Sequence, residues 1–224
     1  MKIAEIFYSV QGEGSLIGVP SVFVRTSGCN LRCVWCDTPY TSWNPEGDDL
    51  TLEEILSRLD AWPQARHVVL TGGEPMIAPQ VVELTGCFRE RGLHITIETA
   101  GTVSKPVACD LMSISPKLAN STPEGPWQLK HDQLRIQPGV LRHLMDVYDY
   151  QLKFVVAAAG DLDEIHTLLA SLAADRSKVI LMPEGTDPRT LHERGPWLAE
   201  ICKQEGYRFS PRLHVDLYGN RRGT

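Results

Sequence analysis

The chain is organised around the stretch Cys29-Asn30-Leu31-Arg32-Cys33-Val34-Trp35-Cys36, which comes just after an apolar run. Its C-x3-C-x2-C spacing lets one short loop wrap around one metal centre. Thiolates are the soft ligands that iron–sulfur clusters and zinc use. Three thiolates leave one corner of a tetrahedral site for another ligand. The stretch therefore indicates a catalytic metal centre rather than a structural one.

The composition argues against several classes of protein. The 224 residues are 42% hydrophobic and 22% charged, which is typical of a globular domain. A net charge of −6 gives no basic footprint, so we expect no nucleic acid partner. No apolar run approaches the roughly 20 residues that span a bilayer, and the N-terminus lacks the apolar core of a signal peptide. We therefore expect no membrane association and a cytoplasmic protein.

Strand-like and helix-like segments alternate along the chain, which predicts βαβ units around a parallel sheet. The six predicted strands cover residues 21–25, 67–70, 94–98, 111–114, 151–156 and 178–181. The predicted helices cover 51–61, 80–91, 138–147, 161–172 and 191–205, with a loop over 118–130. Thr51 with Glu54, and Asp161 with Glu164, have the spacing of helix caps. Six strands are two short of a closed (β/α) barrel. We therefore expect an α/β fold with an open, partial, about six-stranded barrel, in a single domain over 1–224.

Polar clusters follow four successive predicted strands. They cover residues 25–36, 71–75, 98–101 and 115–117. Ligands of barrels and open parallel sheets bind at the C-terminal ends of the strands. The four clusters are therefore expected to face one mouth.

Some residues have simpler interpretations. A structural zinc site would need a fourth Cys or His nearby, and no second C-x2-C pair is present. His67 and His94 lie inside apolar strands, where we expect hydrogen-bonded strand histidines. The three scattered cysteines are expected to be buried, reduced thiols; they are Cys87, Cys109 and Cys202. A non-catalytic zinc module stays open as an alternative.

The cysteine stretch, with Trp35 before its third cysteine, and Thr71-Gly72-Gly73-Glu74-Pro75 together resemble the two signatures of the radical S-adenosylmethionine (SAM) superfamily. The resemblance implies that Cys29, Cys33 and Cys36 hold three irons of a [4Fe–4S] cluster. The methionine moiety of SAM chelates the fourth iron, and the reduced cluster cleaves SAM to a 5′-deoxyadenosyl radical. An activase of a glycyl-radical enzyme would share both motifs and is a second alternative.

A narrower resemblance is to the 7-carboxy-7-deazaguanine synthase family. It is carried by Gln11-Gly12-Glu13-Gly14, Val24-Arg25-Thr26-Ser27-Gly28-Cys29, Trp35-Cys36-Asp37-Thr38, Ser115-Pro116-Lys117 and Ser210-Pro211-Arg212-Leu213-His214. It is weakest over 118–150 and 183–197. It implies a carbon–nitrogen lyase that converts 6-carboxy-5,6,7,8-tetrahydropterin to 7-carboxy-7-deazaguanine and ammonia by radical ring contraction. That reaction lies on the route to queuosine and other 7-deazapurines.

The resemblance also implies roles for single residues. The SAM site would comprise Trp35, Cys36, Asp37, Gly73, Glu74, Ser115, Pro116 and Lys117. The pterin site would comprise Gln11, Gly12, Glu13, Arg25, Thr71, His214 and the terminal carboxylate of Thr224. Thr38 would offer its oxygen to a Mg²⁺ ion. No catalytic acid or base is assigned, because the cofactor generates the radical.

The side-chain chemistry suits these roles. A pterin presents several N–H donors on a guanidine-like edge, for which Glu13 is a suitable acceptor. Arg25 can fork onto a substrate carboxylate, and a hydroxyl oxygen is a hard ligand suited to Mg²⁺. The site is expected in two segments, a cluster loop over 28–38 and a C-terminal substrate-pocket segment over 208–224. The resemblance further implies an electron donor such as flavodoxin or ferredoxin, and a homodimer.

Overall fold

A computed structural model describes residues 1–224 as one nine-stranded sheet flanked by helices. The strands are β1 (Lys2–Val10), β2 (Pro20–Thr26), β3 (Asp48–Asp49), β4 (His67–Gly72), β5 (His94–Thr99), β6 (Leu111–Ile114), β7 (Tyr150–Val156), β8 (Val179–Pro183) and β9 (Arg208–Phe209). The helices are α1 (Pro39–Ser42), α2 (Leu52–Leu59), α3 (Val81–Glu90), α4 (Gln128–Leu134), α5 (Pro138–Val147), α6 (Asp161–Leu172), α7 (Pro188–Glu205) and α8 (Leu213–Tyr218). Short 3-10 turns cover 75–77, 119–121 and 176–178.

The sheet is open, with strand order β3-β1-β2-β4-β5-β6-β7-β8-β9. The six predicted strands are β2 and β4 to β8, and they are consecutive parallel neighbours. This confirms the α/β class and the open, non-closed sheet. Three further strands extend the edges: β1 and β3 are antiparallel, and β9 is parallel. Sequence analysis missed β3 and β9, which have two residues each, and β1, whose residues are mostly half-buried.

The parallel strands are buried because helices cover them, as their continuous apolar runs predict. Val68, Val69 and Leu70 of β4 are at most 2% exposed. The predicted cap of α2 is confirmed: Thr51 Oγ1 accepts from Glu54 N, and Glu54 Oε2 accepts from Thr51 N. The predicted cap of α6 is wrong. Asp161 is its first helical residue, and Glu164 accepts a hydrogen bond from Ala119 N instead.

The segment over 118–130 is not a plain loop, as the sequence had predicted. It forms the 3-10 turn at 119–121 and the first three residues of α4. The helix buries only His131 and leaves Leu129 77% exposed. A helix without an apolar stripe lacks the periodicity by which helices are found in sequences.

The two strand histidines and the three scattered cysteines differ in part from their predicted states. The rings of His67 and His94 lie 4.6 Å apart, and each leaves a buried Nδ1 without a hydrogen-bond partner, so the expected satisfied state is wrong. All six cysteines are free thiols; Cys202 is buried, whereas Cys87 and Cys109 are half-buried. None of the helices is both long and apolar enough to cross a membrane.

Candidate active site

The loops that follow the parallel strands enclose a cavity of about 430 Å³, a size typical of small-molecule sites. Most of the predicted site residues line it: Gln11, Gly12, Glu13, Arg25, Cys29, Cys33, Trp35, Cys36, Asp37, Thr38, Thr71, Gly73, Ser115, Lys117, His214 and Thr224. Glu74 and Pro116 do not line it. The structure thus brings together sixteen of the eighteen predicted residues, from both ends of the chain.

The three cysteines of the predicted cluster loop share one wall of this cavity. Leu31 anchors the loop because its side chain is 1% exposed and packs with Cys33 and Ala100. Burial raises the pKa of Cys29 to about 11 and that of Cys33 to about 12. These thiols therefore carry protons until a metal displaces them.

The cysteines fit a cluster better than a single ion. No three His, Cys, Asp or Glu side chains are gathered so that they could hold one metal ion. A [4Fe–4S] cluster spreads its thiolate ligands over separate irons. Three free thiols that line one cavity are the donor set that such a cluster would use.

Gly72 and Gly73 allow close packing between the ends of β4 and β2. A Cβ added at Gly72 would overlap Thr26 O, and one at Gly73 would overlap Gly28 O. Gly72 also has φ of +134°, which favours glycine. The close neighbour of the glycine pair is thus the protein's own backbone.

Glu74 lies behind the cavity wall rather than on it. It is fully buried, and its carboxylate accepts hydrogen bonds from Met76 N at 3.1 Å, Thr99 Oγ1 at 2.8 Å and Ala100 N at 2.8 Å. Burial raises the pKa of Glu74 despite these donors. The arrangement differs from the predicted direct cofactor contact. It ties the end of β4 to the end of β5.

Arg25 and Thr71 are register partners on β2 and β4, and both line the cavity. Arg25 Nε donates to Glu5 Oε1 at 2.6 Å, and its guanidinium lies over the Phe7 ring. Its two terminal nitrogens donate to no protein acceptor. Glu5 therefore fixes the Arg25 guanidinium at Nε, and Nη1 and Nη2 are free to bind a ligand carboxylate.

A chain of alternating charges forms another part of the cavity wall, and we call it the ion chain: Glu98, Lys153, Glu13, Arg212 and Asp37. Lys153 Nζ lies 2.9 Å from Glu98 and 2.7 Å from Glu13. Arg212 Nε lies 3.0 Å from Glu13, and its Nη2 donates to Asp37. The side chains of Lys153 and Arg212 are only 4% and 7% exposed.

The ion chain keeps its carboxylates ionised. Burial by itself would raise the pKa of Glu13, but the charges of Lys153 and Arg212 outweigh it and hold that pKa far below its usual value. Burial likewise opposes ionisation of Asp37, and the Arg212 guanidinium again lowers the pKa. Charged partners favour the charged form. Glu13 is thus an anionic acceptor at neutral pH.

The sequence pattern predicted no role for Lys153, Arg212 or Glu98. A signal for Lys153 was present, because it interrupts the apolar strand Tyr150–Val156. A lysine inside a buried strand needs a charged partner. Its partners lie 140 and 55 positions away in the sequence, so they could not be read from it.

The C-terminal segment returns to the turn that contains Gln11 and Gly12. Leu213 N donates to Gly12 O at 2.9 Å, and a Cβ added at Gly12 would overlap His214 Nδ1. Burial lowers the pKa of His214, which favours a neutral ring at pH 7. Thr224 reaches the cavity, and Gly223 N donates to Glu5 Oε2.

Hydrogen bonds to neighbouring groups hold several of the predicted SAM residues in place. Lys117 Nζ donates to Ser115 O and Ser115 Oγ, each at 2.7 Å. Trp35 Nε1 donates to Asn120 O at 3.0 Å, which orients the indole beside the cysteines. Thr38 directly precedes α1, and its hydroxyl lies 3.9 Å from Cys36 Sγ.

Comparison with known proteins agrees with this geometry. The profile of the Radical SAM superfamily matches residues 23–126, and that superfamily's chemistry uses a [4Fe–4S] cluster and SAM. The 7-carboxy-7-deazaguanine synthase of Halobacterium salinarum is 45% identical over 98% of this chain and 91% of that protein. The enzyme of that name from Rhodopirellula baltica is 46% identical over 100% and 89%.

A solved structure gives the same result. The crystal structure of QueE from Escherichia coli is 27% identical to this chain, with a TM-score of 0.71 over 95% of this chain and 94% of that one. Both the expected superfamily and the expected enzyme class, a radical SAM lyase, are confirmed. The chain therefore belongs to the 7-carboxy-7-deazaguanine synthase family of the radical SAM superfamily.

Proposed function

We propose that this chain converts 6-carboxy-5,6,7,8-tetrahydropterin to 7-carboxy-7-deazaguanine with release of ammonia, in the synthesis of queuosine or another 7-deazapurine. One observation carries the proposal. The three cysteines of the cluster loop, the ion chain and Arg25 line the same cavity. A radical source, an acceptor for the pterin edge and a donor for its carboxylate are therefore available within one small space.

On the cofactor side, Cys29, Cys33 and Cys36 hold the [4Fe–4S] cluster. Once bound, the cluster and SAM supply the radical that starts ring contraction. The protein's task is to orient SAM against the cluster and to exclude water. We assign that task to Trp35, Asp37, Gly73, Ser115 and Lys117, which line the cavity. Glu74 acts from behind by holding Ala100 and Thr99.

On the substrate side, Glu13 accepts from the N–H donors of the pterin edge, and Arg25 takes the pterin carboxylate. Gln11, Gly12 and Thr71 lie beside them on the wall, and His214 and Thr224 close the pocket. Lys153 and Arg212 hold the Glu13 carboxylate in place through both of its oxygens. Such fixed acceptors penalise analogues that lack the matching donors, by about 10⁴–10⁵-fold where the site is fully buried.

Thr38 is our proposed protein ligand for Mg²⁺. Its hydroxyl oxygen lies on the cavity wall, and the one threonine hydroxyl near it, that of Thr41, is 3.5 Å away. Mg²⁺ binds hard oxygen ligands and keeps several waters, so one hydroxyl and a substrate carboxylate are a sufficient anchor. The ion would supply charge to hold that carboxylate.

Four further parts of the proposal rest on family resemblance. The chain works as one radical SAM domain over 1–224, as a homodimer and in the cytoplasm. An electron donor of the flavodoxin or ferredoxin kind reduces the cluster. Val34 on the cluster loop is 62% exposed, so a partner can approach close to the cysteines.

The test is an anaerobic assay of the reconstituted protein with reductant, SAM, Mg²⁺ and 6-carboxy-5,6,7,8-tetrahydropterin. We expect both 5′-deoxyadenosine and 7-carboxy-7-deazaguanine. Formation of 5′-deoxyadenosine without a deazapurine would overturn the substrate assignment and favour another radical enzyme, such as an activase. Uptake of zinc in place of iron and sulfide would overturn the cluster.

The magnesium site is tested in the same assay. Thr38→Ala should assemble the cluster normally but require more Mg²⁺ for half-maximal turnover. Thr167→Ala, at an exposed threonine of α6, is the matched control and should leave the Mg²⁺ dependence unchanged. An unchanged dependence in Thr38→Ala would remove this residue from the site.

A further inference from the structure

Residues 118–134, which we call the clamp segment, contact the cluster loop from outside. Val34 N donates to Ser121 O at 2.9 Å, and Arg32 N donates to His131 Nδ1 at 3.1 Å. From Cys29 to Cys36, the backbone N–H of Arg32 is the only one that donates to a side chain outside the loop. His131 is therefore the only side chain outside the loop that accepts a hydrogen bond from the loop backbone, whereas Trp43 Nε1 donates to Cys33 O at 3.0 Å.

His131 is fixed in a single hydrogen-bonded state. It is fully buried on α4, with Nε2 2.9 Å from Ser121 Oγ. Ser121 Oγ donates its proton to Leu118 O at 2.6 Å, so it must accept from Nε2–H. Because Nδ1 accepts from Arg32 N, the ring is neutral with its proton on Nε2. All three hydrogen bonds are satisfied by this one arrangement.

We infer that His131 is a positioning residue for the iron–sulfur cluster. Its Nδ1 fixes the Leu31–Arg32 peptide, one residue before Cys33, and so restrains the backbone that presents the Cys33 thiol to the cluster. Groups that hold metal ligands in place govern the affinity and properties of the metal, and the redox behaviour of clusters responds to hydrogen bonding near the ligands. The inference depends on the superfamily's cluster and is independent of the pterin substrate.

Two variants distinguish the hydrogen bond that His131 accepts from the space that its side chain fills. His131→Leu fills the space but removes the acceptor for Arg32 N. His131→Asn is similar in size to leucine and returns an oxygen at about the place of Nδ1. If packing alone mattered, both variants would behave alike. If position matters, the asparagine should restore what the leucine loses.

The experiment uses full-length protein with a reconstituted cluster and no pterin. We would measure the loss of cluster absorbance after addition of a chelator, and the EPR spectrum of the dithionite-reduced cluster. His131→Leu should lose its cluster roughly 5- to 100-fold faster, as expected when one buried hydrogen bond is left unsatisfied, and its EPR spectrum should change. His131→Asn should recover most of the wild-type rate and spectrum.

Two further variants complete the design. His143→Leu, at an exposed histidine of α5, is the matched control and should match wild type. Ser121→Ala keeps His131 but frees its Nε2–H, so it should give an intermediate rate of cluster loss. It carries the test together with His131→Asn if His131→Leu does not fold. Wild-type chelator rates and EPR spectra in His131→Leu and Ser121→Ala, or equal losses in His131→Leu and His131→Asn, would overturn the inference, whether or not the protein forms a deazapurine.

Discussion

Two walls of the cavity are built in opposite ways. The cluster loop places its three thiols within eight consecutive residues, and it contributes uncharged ligands that await a metal. The ion chain draws five charged residues from distant parts of the chain, with Glu13 and Arg212 separated by 199 positions. The first wall is local in sequence, whereas the second exists only after folding.

The two walls therefore place different demands on the amino-acid sequence. A metal cluster brings its own geometry, so the protein needs only thiols at short spacing. A polar pocket for an organic ligand needs fixed charges at defined positions, and buried charges must be paired. Pairing partners can come from any strand end, because all the parallel strands end at the same edge of the sheet.

The largest effect should follow from removing one thiol of the cluster loop. Cys33→Ala leaves two cysteine ligands, too few to hold the cluster, so iron uptake, 5′-deoxyadenosine and deazapurine should all be lost. Iron and sulfide analysis after anaerobic reconstitution, with product assays, measures this. Cys87→Ala, at a half-buried cysteine of α3, is the control and should retain all three. Cluster assembly in Cys33→Ala would contradict the assignment.

Breaking the ion chain should lower the free energy of unfolding but leave the iron content unchanged. Lys153→Met leaves Glu13 and Glu98 without their shared partner, and should lower the free energy of unfolding by about 3 kcal/mol, the low end for a broken buried pair because both carboxylates face the cavity. Urea unfolding measures it. The same change at Lys178, whose partner Asp149 is 70% exposed, should cost no more than about 1 kcal/mol. Equal losses would show that the ion chain is no stronger than a surface pair.

A smaller change should separate substrate binding from cluster assembly. Gly12→Ala pushes His214 away, since the added methyl overlaps its ring. A displacement near 1 Å should lower kcat/KM for the pterin by about 100-fold, with normal iron content. Gly86→Ala, in α3 where an added Cβ meets nothing, is the control. Loss of iron in Gly12→Ala would mean that the two walls are not independent.

The smallest effect is an acid dependence of stability that the ion chain should show and the cluster loop should not. The folded-state pKa of Glu13 lies below its usual 4.5, so the stability it contributes is complete above that pH and is lost as the pH falls through the lowered value. Urea unfolding of the metal-free protein between pH 7 and pH 3 should reveal a loss of about 2 kcal/mol, as for one strongly paired carboxylate. The loss should shrink in Lys153→Met.

The thiols of the cluster loop should contribute nothing to the pH dependence measured in that experiment. Cys29 and Cys33 have pKa values of about 11 and 12 in the metal-free protein. They stay protonated throughout the acid range, so they contribute no slope there. An acid loss in Lys153→Met equal to that of wild type would place its origin outside the ion chain.

The sequence predicted the parallel sheet because β2 and β4 to β8 are apolar runs bounded by turn residues. It missed α4, whose surface carries no apolar stripe and which buries only His131. It placed Glu74 on the cofactor, whereas that carboxylate is buried behind the wall. Whether a residue near a ligand motif faces the ligand or supports the wall depends on packing, which spacing along the chain does not encode.

Local sequence is enough to specify the cysteine loop, the paired glycines and the six parallel strands β2 and β4 to β8, because each depends on neighbours within a few positions. Folding is needed before Lys153 bridges Glu98 and Glu13, Arg212 bridges Glu13 and Asp37, and His131 contacts the loop. These contacts join residues 55 to 199 positions apart. Burial then makes each one necessary, because a charge or polar group removed from water must find a partner wherever the fold supplies it.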